Sequence, residues 1–424
     1  MKKCIILFLG IVILASFDCK SQNNKKISDS SPTKKLMIGI WNPPPPQLLK
    51  TEADIKNQFK HIADAGINLI WGSPQWTYSD STMQIVLKVC DEYGLSYLQL
   101  LEIDGKNKSD SNAELTRCLA TVNKLKNFSA VRGFVLYDEP AASLFDSLAR
   151  VSREVEAILP EGKYTIVNLL PNYGFSSQAI SETYVEDFMQ KMHPKIFSFD
   201  HYPLGSKNTA ANNLASDRQF VLDLITMRNA SIKYNVPFWG FIQAIAWEGM
   251  REPTYNEYRW LCDAHIVFGA KGISYFFYAA GHAMITWDGK TTYLYDYAKN
   301  VNRELFGFAN IVMSYKQDGF ILVNQNTQIN TAVPANLTRK TYGNLVSIET
   351  SGEMMNGCFD LNGQKAVYLF NWSKDNPMSA KLTFNKNVHF QLWSKSGLEI
   401  EKTTSALTVS FLPGEAKFIV FKLK

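Results

Sequence analysis

The segment Tyr137-Asp138-Glu139-Pro140 sets two carboxylates side by side directly after the apolar run Gly133-Phe134-Val135-Leu136. A carboxyl group with an acidic neighbour and apolar surroundings keeps its proton to higher pH than usual, which suits Glu139 to general acid work. Chemistry of that kind needs a second carboxylate, and two candidates follow similar runs. Asp200 stands in Ser198-Phe199-Asp200-His201-Tyr202-Pro203, and Glu248 follows Ala244-Ile245-Ala246-Trp247. Either could be a nucleophile or a base to water, and Asp200 with His201 could instead bind a hydroxyl or orient Glu139. Amides and carboxylates bond adjacent hydroxyls in pairs, while Trp and Tyr offer apolar faces. The expected binding set is Trp41, Asn42, Gln75, Asp138, Asn168, His201, Tyr202, Gln243, Trp247 and Tyr278, with Trp76, Glu102, Asp104, Asn172, His282 and Trp287 in comparable positions. A rival chemistry makes Asp138, Glu139, Asp200 and His201 ligands of a divalent metal for sugar isomerisation or lyase work. Such sites draw more carboxylates and histidines from successive strands, so no metal and no cofactor is expected.

These residues share one feature, which is that each falls at or just past the end of a short β-branched or aromatic run. Eight such runs are found: Leu36 to Trp41, Ile67 to Gly72, Ser96 to Leu101, Val131 to Tyr137, Tyr164 to Leu170, Ile196 to Asp200, Pro237 to Gln243 and Gly272 to Tyr278. Amphipathic stretches separate them, the first with Thr51 to cap it, Ile55, Phe59 and Ile62 on one face, and Gly66 to end it. Strands alternating with helices predict a parallel sheet. An open doubly wound sheet would favour a glycine-rich turn after its first strand, whereas Trp41-Asn42 leads here into Pro43 to Pro46, which lack the N–H donors of a phosphate cradle. The expectation is a closed (β/α)8 TIM barrel over residues 36–315, with its site at the C-terminal strand ends. Trp71 and Trp239 lie within strands and are expected in its core.

After Tyr315 the pattern changes to alternating runs at Leu345 to Glu349, Ala366 to Asn371, Ala380 to Phe384, Val388 to Trp393 and Lys417 to Lys422. This predicts a small C-terminal antiparallel β-sandwich over residues 316–424.

Lys2 and Lys3 followed by the apolar run Ile5 to Phe17 read as an export signal over residues 1–19, too short for a membrane span. Cys19 after Ala15-Ser16-Phe17-Asp18 resembles a bacterial lipoprotein signal, apart from Asp18, so a lipid anchor at Cys19 and a periplasmic or outer-membrane, cell-surface location are expected. Residues 20–35 then form a flexible tether. The 424 residues are 46% hydrophobic and 20% charged, which is globular composition, and a net charge of +5 without basic runs leaves no footprint for nucleic acid. Cys90, Cys118, Cys262 and Cys358 show no metal or disulfide spacing and are expected as buried thiols.

With Glu139-Pro140 at the end of the fourth of eight strands, the chain resembles the TIM-barrel glycosidases of the β-galactosidase and cellulase clan. So do Arg251-Glu252-Pro253-Thr254, the run from Gly269 to Tyr278, and Trp287-Asp288-Gly289-Lys290. The resemblance implies a carbohydrate substrate and Glu139 as acid/base. The clan carries asparagine where Asp138 stands and a nucleophilic glutamate near Gln243, so the second carboxylate falls to Glu248 or Asp200. A barrel that binds carbohydrate without cleaving it is the alternative that Gln243 and Asp138 raise.

Overall fold

The computed structural model describes residues 35–101, 103, 111–279 and 281–422. The expected leader, Cys19 and the tether up to residue 34 lie outside the described residues, as do Glu102 and Asp104.

Eight parallel strands close a barrel in chain order: β1 (Met37–Ile40), β2 (Leu69–Trp71), β3 (Ser96–Leu100), β4 (Val131–Asp138), β5 (Tyr164–Leu169), β6 (Phe197–Asp200), β7 (Phe238–Gln243) and β8 (Gly272–Phe276). The helices between and after them are α1 (Glu52–Asp64), α2 (Asp80–Glu92), α3 (Ser111–Leu125), α4 (Phe145–Ala157), α5 (Gln178–Met192), α6 (Ala210–Tyr234), α7 (Tyr255–Val267) and α8 (Tyr293–Phe306). Thr51 caps α1 in a reciprocal box with Asp54, and Gly66 then takes a left-handed φ of 75° to turn the chain into β2.

Period-two alternation decides what fills the barrel. Leu69, Leu98, Val135, Tyr164, Ile166, Ile196, Trp239 and Phe241 form an interior core with Trp41 and Trp71. Trp71 and Trp239 are almost wholly buried, as expected, with ring centroids 6.1 Å apart edge to face, and Trp71 Nε1 donates to Ser274 Oγ at 2.9 Å. Indoles this large need room opposite, and a Cβ on Gly272 would stand 2.6 Å from Trp239 Cδ1. On the outer face of β7, Gly240 gives the same room to His265 of α7, whose Cδ2 would lie 2.1 Å from an added Cβ. Gly240→Ala is therefore expected to cost about 1–3 kcal/mol through displacement of α7, read as a lower urea midpoint at unchanged m.

Seven further strands follow: β9 (Lys316–Val323), β10 (Leu345–Thr350), β11 (Met354–Leu361), β12 (Gln364–Phe370), β13 (Met378–Ser394), β14 (Gly397–Phe411) and β15 (Ala416–Phe421). They pair antiparallel in the order β10-β13-β15-β12-β11-β9, with β14 beside β13. The runs at Ala380 and Val388 are one strand rather than two. Between Thr383 and Val388 its register breaks; its first part pairs with β10 and its last with β15. The bend folds the sheet over a core of its own that includes Leu382, Phe390, Leu407 and Ile419. The other face joins the barrel's core through Phe359, Tyr368 and Phe418. Tyr368 donates to Asp263 of α7 at 2.5 Å, and Trp260 Nε1 donates to the Trp372 carbonyl at 2.9 Å. All four described cysteines are buried free thiols.

Candidate active site

A cavity of about 500 Å³ opens at the C-terminal ends of the strands, lined by Asp138, Glu139, Asp200 and Glu248 and by the aromatic rings of Trp41, Tyr173, Tyr202, Phe241, Trp247 and Phe276. Strand alternation delivers two of its polar groups. On β5 the inward series Tyr164, Ile166 ends at Asn168, and on β6 the inward series Ile196, Ser198 ends at Asp200. Simple alternation on β4 would turn Asp138 outward after Gly133 and Val135. A break in register between Val135 and Tyr137 instead sets Asp138 opposite Asn168. Glu139 then leaves the strand with a left-handed φ of 54°, costly for a residue with a Cβ, and its N–H donates to the Asn168 carbonyl at 2.9 Å. Behind it, Tyr184 of α5 ties down the Pro140 carbonyl at 2.8 Å.

Asn168 organises the acids. Its Oδ1 accepts from Ser198 at 2.9 Å, which fixes the amide so that Nδ2 donates to Asp138 at 3.0 Å and to Asp200 at 3.1 Å. Asp200 in turn hydrogen-bonds to Glu139. Desolvation raises the carboxyls of all three. Asp138 is pushed up to about 6, with the Glu139 charge adding and the Asn168 amide opposing. Asp200, the deepest, is raised furthest, by burial first and then by the charges of Glu139 and Asp138. Glu139 is raised by burial and partly held down by its bond to Asp200. The pair titrates as a unit, with Asp200 the member that holds its proton more firmly.

Keeping a carboxyl protonated in the folded state makes stability fall as pH climbs. The unfolded chain releases the Asp200 proton near the ordinary carboxylate pKa, while the folded chain holds it to higher pH, so stability is lost through that window. Asp200→Asn removes this slope. Its stability relative to wild type is expected to be greater at pH 8 than at pH 4.5 in urea titrations, and parallel curves at the two pH values would contradict the assignment.

Glu248 lies on the loop after β7, beside β6 that carries Asp200 and three strands round the barrel from β4. Trp247 and Met250 exchange backbone hydrogen bonds across a turn in which Gly249 has a φ of 80°. Gln243, fully buried, anchors this loop: Oε1 accepts from the Leu204 N–H at 3.0 Å, and Nε2 donates to the Leu204 and Arg251 carbonyls at 3.1 and 2.7 Å. A glutamate there would face two carbonyls with no proton to give. Arg251 makes a two-pronged pair with Glu257, which also boxes the start of α7 with Thr254.

Of the residues singled out in the sequence, Trp41, Asp138, Glu139, Asn168, Asp200, Tyr202, Trp247 and Glu248 line one cavity. Asn42, Gln75, His201, Gln243 and Tyr278 do not. Asn42 is buried and accepts from Ser73, Gln75 is exposed on the loop after β2, and the Tyr278 ring is fully buried. His201 lies behind the wall, where Nδ1 meets Asp223 Oδ2 at 2.6 Å and its ring supports Tyr173 edge to face. Asn172, whose N–H also bonds Asp223, is buried, and Trp287 is exposed. Tyr173, Phe241, Met250 and Phe276 are lining residues the sequence reading missed. Alternation alone would have found Phe241, two residues before Gln243, and Pro171-Asn172-Tyr173-Gly174 carried the turn signal that sets Tyr173 over the mouth. Among the described residues, no group of three or more His, Cys, Asp or Glu is arranged to hold a metal ion.

No family model matches the chain, and no curated protein matches its sequence. Among solved structures it is similar to a glycoside hydrolase family 5 protein from Bacteroides vulgatus ATCC 8482, with a TM-score of 0.56 over 91% of this chain and 89% of that one at 11% identity. A β-galactosidase from the psychrophilic Marinomonas ef1 aligns over 68% of this chain at 11% identity (TM-score 0.49), and a β-glucuronidase from Ruminococcus gnavus over 63% at 11% identity (TM-score 0.47). The chain spans 63% and 50% of the lengths of those two. At such identity the likeness to the Bacteroides protein is one of fold.

Proposed function

We propose that this cavity hydrolyses glycosidic bonds. The observation that carries the reading is the hydrogen-bonded Glu139 and Asp200 pair at the mouth of an aromatic-walled barrel, with a further carboxylate, Glu248, on the wall of the same cavity. Two carboxylates must flank the scissile bond, and a pair in mutual contact sits on one side of it. Glu139 and Asp200 therefore act together as the proton source, and Glu248 is the second carboxylate. As the bond from the anomeric carbon to the leaving oxygen breaks, the pair's proton moves from Asp200 to Glu139 and on to that oxygen, leaving both carboxyls ionised. Glu248 meets the positive charge growing on the anomeric carbon, as nucleophile or as base to the incoming water. Water supplies the new hydroxyl; its remaining proton restores the pair where Glu248 is the nucleophile, and where Glu248 is the base it goes to Glu248 and solvent returns a proton to the pair. Trp41, Tyr202 and Trp247 offer faces to sugar rings, while Asp138, held in place by the Asn168 amide, accepts from hydroxyls. The signal-like leader supports export, and Cys19 supports a lipid anchor at the cell surface.

A panel of aryl α- and β-glycosides and neutral oligosaccharides tests the reading. Release of aglycone or reducing ends from at least one member is expected. A barrel that binds sugars without cleaving them is the second reading, favoured by the wholly structural Gln243 where a strand-seven carboxylate would stand; it requires saturable binding with no release by the wild-type protein.

A further inference from the structure

At the opposite end of the barrel a second cavity, of about 800 Å³, lies between the end of α6, the starts of β7 and β8, and strands β9 and β11 of the C-terminal sheet. Arg228, Lys271 and Lys316 line it, and among the described residues none of the three forms an ion pair. Arg228 is 5% exposed. Its Nε donates to Gln317 Oε1 at 2.5 Å and its Nη1 to Asn229 Oδ1 at 2.9 Å, while Nη2 makes no hydrogen bond to protein among the described residues. Lys271 Nζ meets only carbonyls, those of Met313 at 2.9 Å and Tyr315 at 2.7 Å, which leaves one of its three donors. Lys316, exposed at the rim, reaches Asn235 Oδ1 at 3.2 Å.

The two carboxylates of the cavity wall are committed elsewhere. Asp360 pairs with Lys365 at 2.7 Å, and Asp318 lies 3.9 Å from both Arg339 and Lys365. The Asp318 charge reaches Arg228 only at longer range. Burial pulls Arg228 down to about 10 and Lys271 down to about 8, the second helped by the charge of Lys316, as expected for cations taken from water without a counter-charge.

We propose that this cavity is an oxyanion site, receiving a carboxylate or sulfate group against Arg228 Nη2, with Lys271 and Lys316 adding charge. The site is separate from the four-carboxylate cavity at the other end, whose lining includes no Lys or Arg.

Calorimetric titration of the whole protein with inorganic sulfate, and separately with glucuronate against glucose as the neutral control, tests this at constant ionic strength. One saturable site that Arg228→Gln weakens is expected for at least one anion, and no such site for glucose. Saturation by sulfate alone assigns the site to a small free anion, and saturation by glucuronate to an acidic sugar. Binding is expected to weaken about tenfold or more in Arg228→Gln and about threefold in Lys316→Gln, and to be unchanged in Glu139→Gln. Should Arg228→Gln fail to fold, the rim variant Lys316→Gln decides. Absence of saturation by either anion, or wild-type affinity in the folded variants, would overturn the proposal.

Discussion

Glu139→Gln is expected to lower kcat on an unactivated glycoside about 10²–10⁴-fold, the range for losing a positioned general acid. The change is nearly isosteric, and its side-chain amide can still accept from Asp200, so near-ultraviolet circular dichroism and sugar binding should be kept. Glutamine cannot release a proton to the leaving oxygen, and Asp200, deeper behind it, is not placed to reach past it. The pH profile sharpens the test. Both members of the pair are raised by burial, so the wild-type rate should fall with rising pH at values above the ordinary carboxylate range. That basic limb should vanish in the variant. A variant that kept both its rate and its basic limb would remove Glu139 from the mechanism.

A loss of similar size, about 10²–10⁴-fold, is expected for Glu248→Gln, and its pattern should differ. In the proposed mechanism Glu248 acts on the anomeric carbon rather than on the leaving oxygen, so the loss should persist when the leaving group needs no protonation. Excess azide should restore turnover to Glu248→Ala if the carboxylate is a nucleophile, by forming a glycosyl azide of opposite anomeric configuration to the normal product. No variant at Asp200 should be rescued this way, because Asp200 contacts Glu139 on the same side of the bond. Rescue of Asp200→Ala instead of Glu248→Ala would exchange their roles.

The barrel was legible because its signals are local. Each strand is a short apolar run, helix caps such as Thr51 are single residues, and no strand end moved by more than two positions. The place of Glu139 at the barrel mouth was legible for the same reason. Its neighbour Asp138 faces the cavity for a reason no pattern carries, because the register break on β4 depends on pairing with β5, 30 residues away. Gln243 looked like a binding residue because it ends a strand, yet its amide is consumed by two loop backbones that the sequence does not bring together. His201 misled in the same way, since its aspartate partner lies 22 residues on, inside α6. In the sheet, β14 escaped notice because none of its first ten residues is buried, so only its last few alternate against a core. β13 read as two strands because Asn385, Lys386 and Asn387 at its bend look like a turn.

The central claim is that Glu139 hands a proton to a glycosidic oxygen, and the dependence of its loss on the leaving group tests this most directly. With the preferred sugar joined either to dinitrophenol, which departs without protonation, or to an alkyl alcohol, the bond-breaking step should be compared in wild type and Glu139→Gln. The account expects the variant to cleave the dinitrophenyl glycoside within about tenfold of wild type while losing about 10²–10⁴-fold on the alkyl glycoside. Equal losses on the two substrates would contradict it.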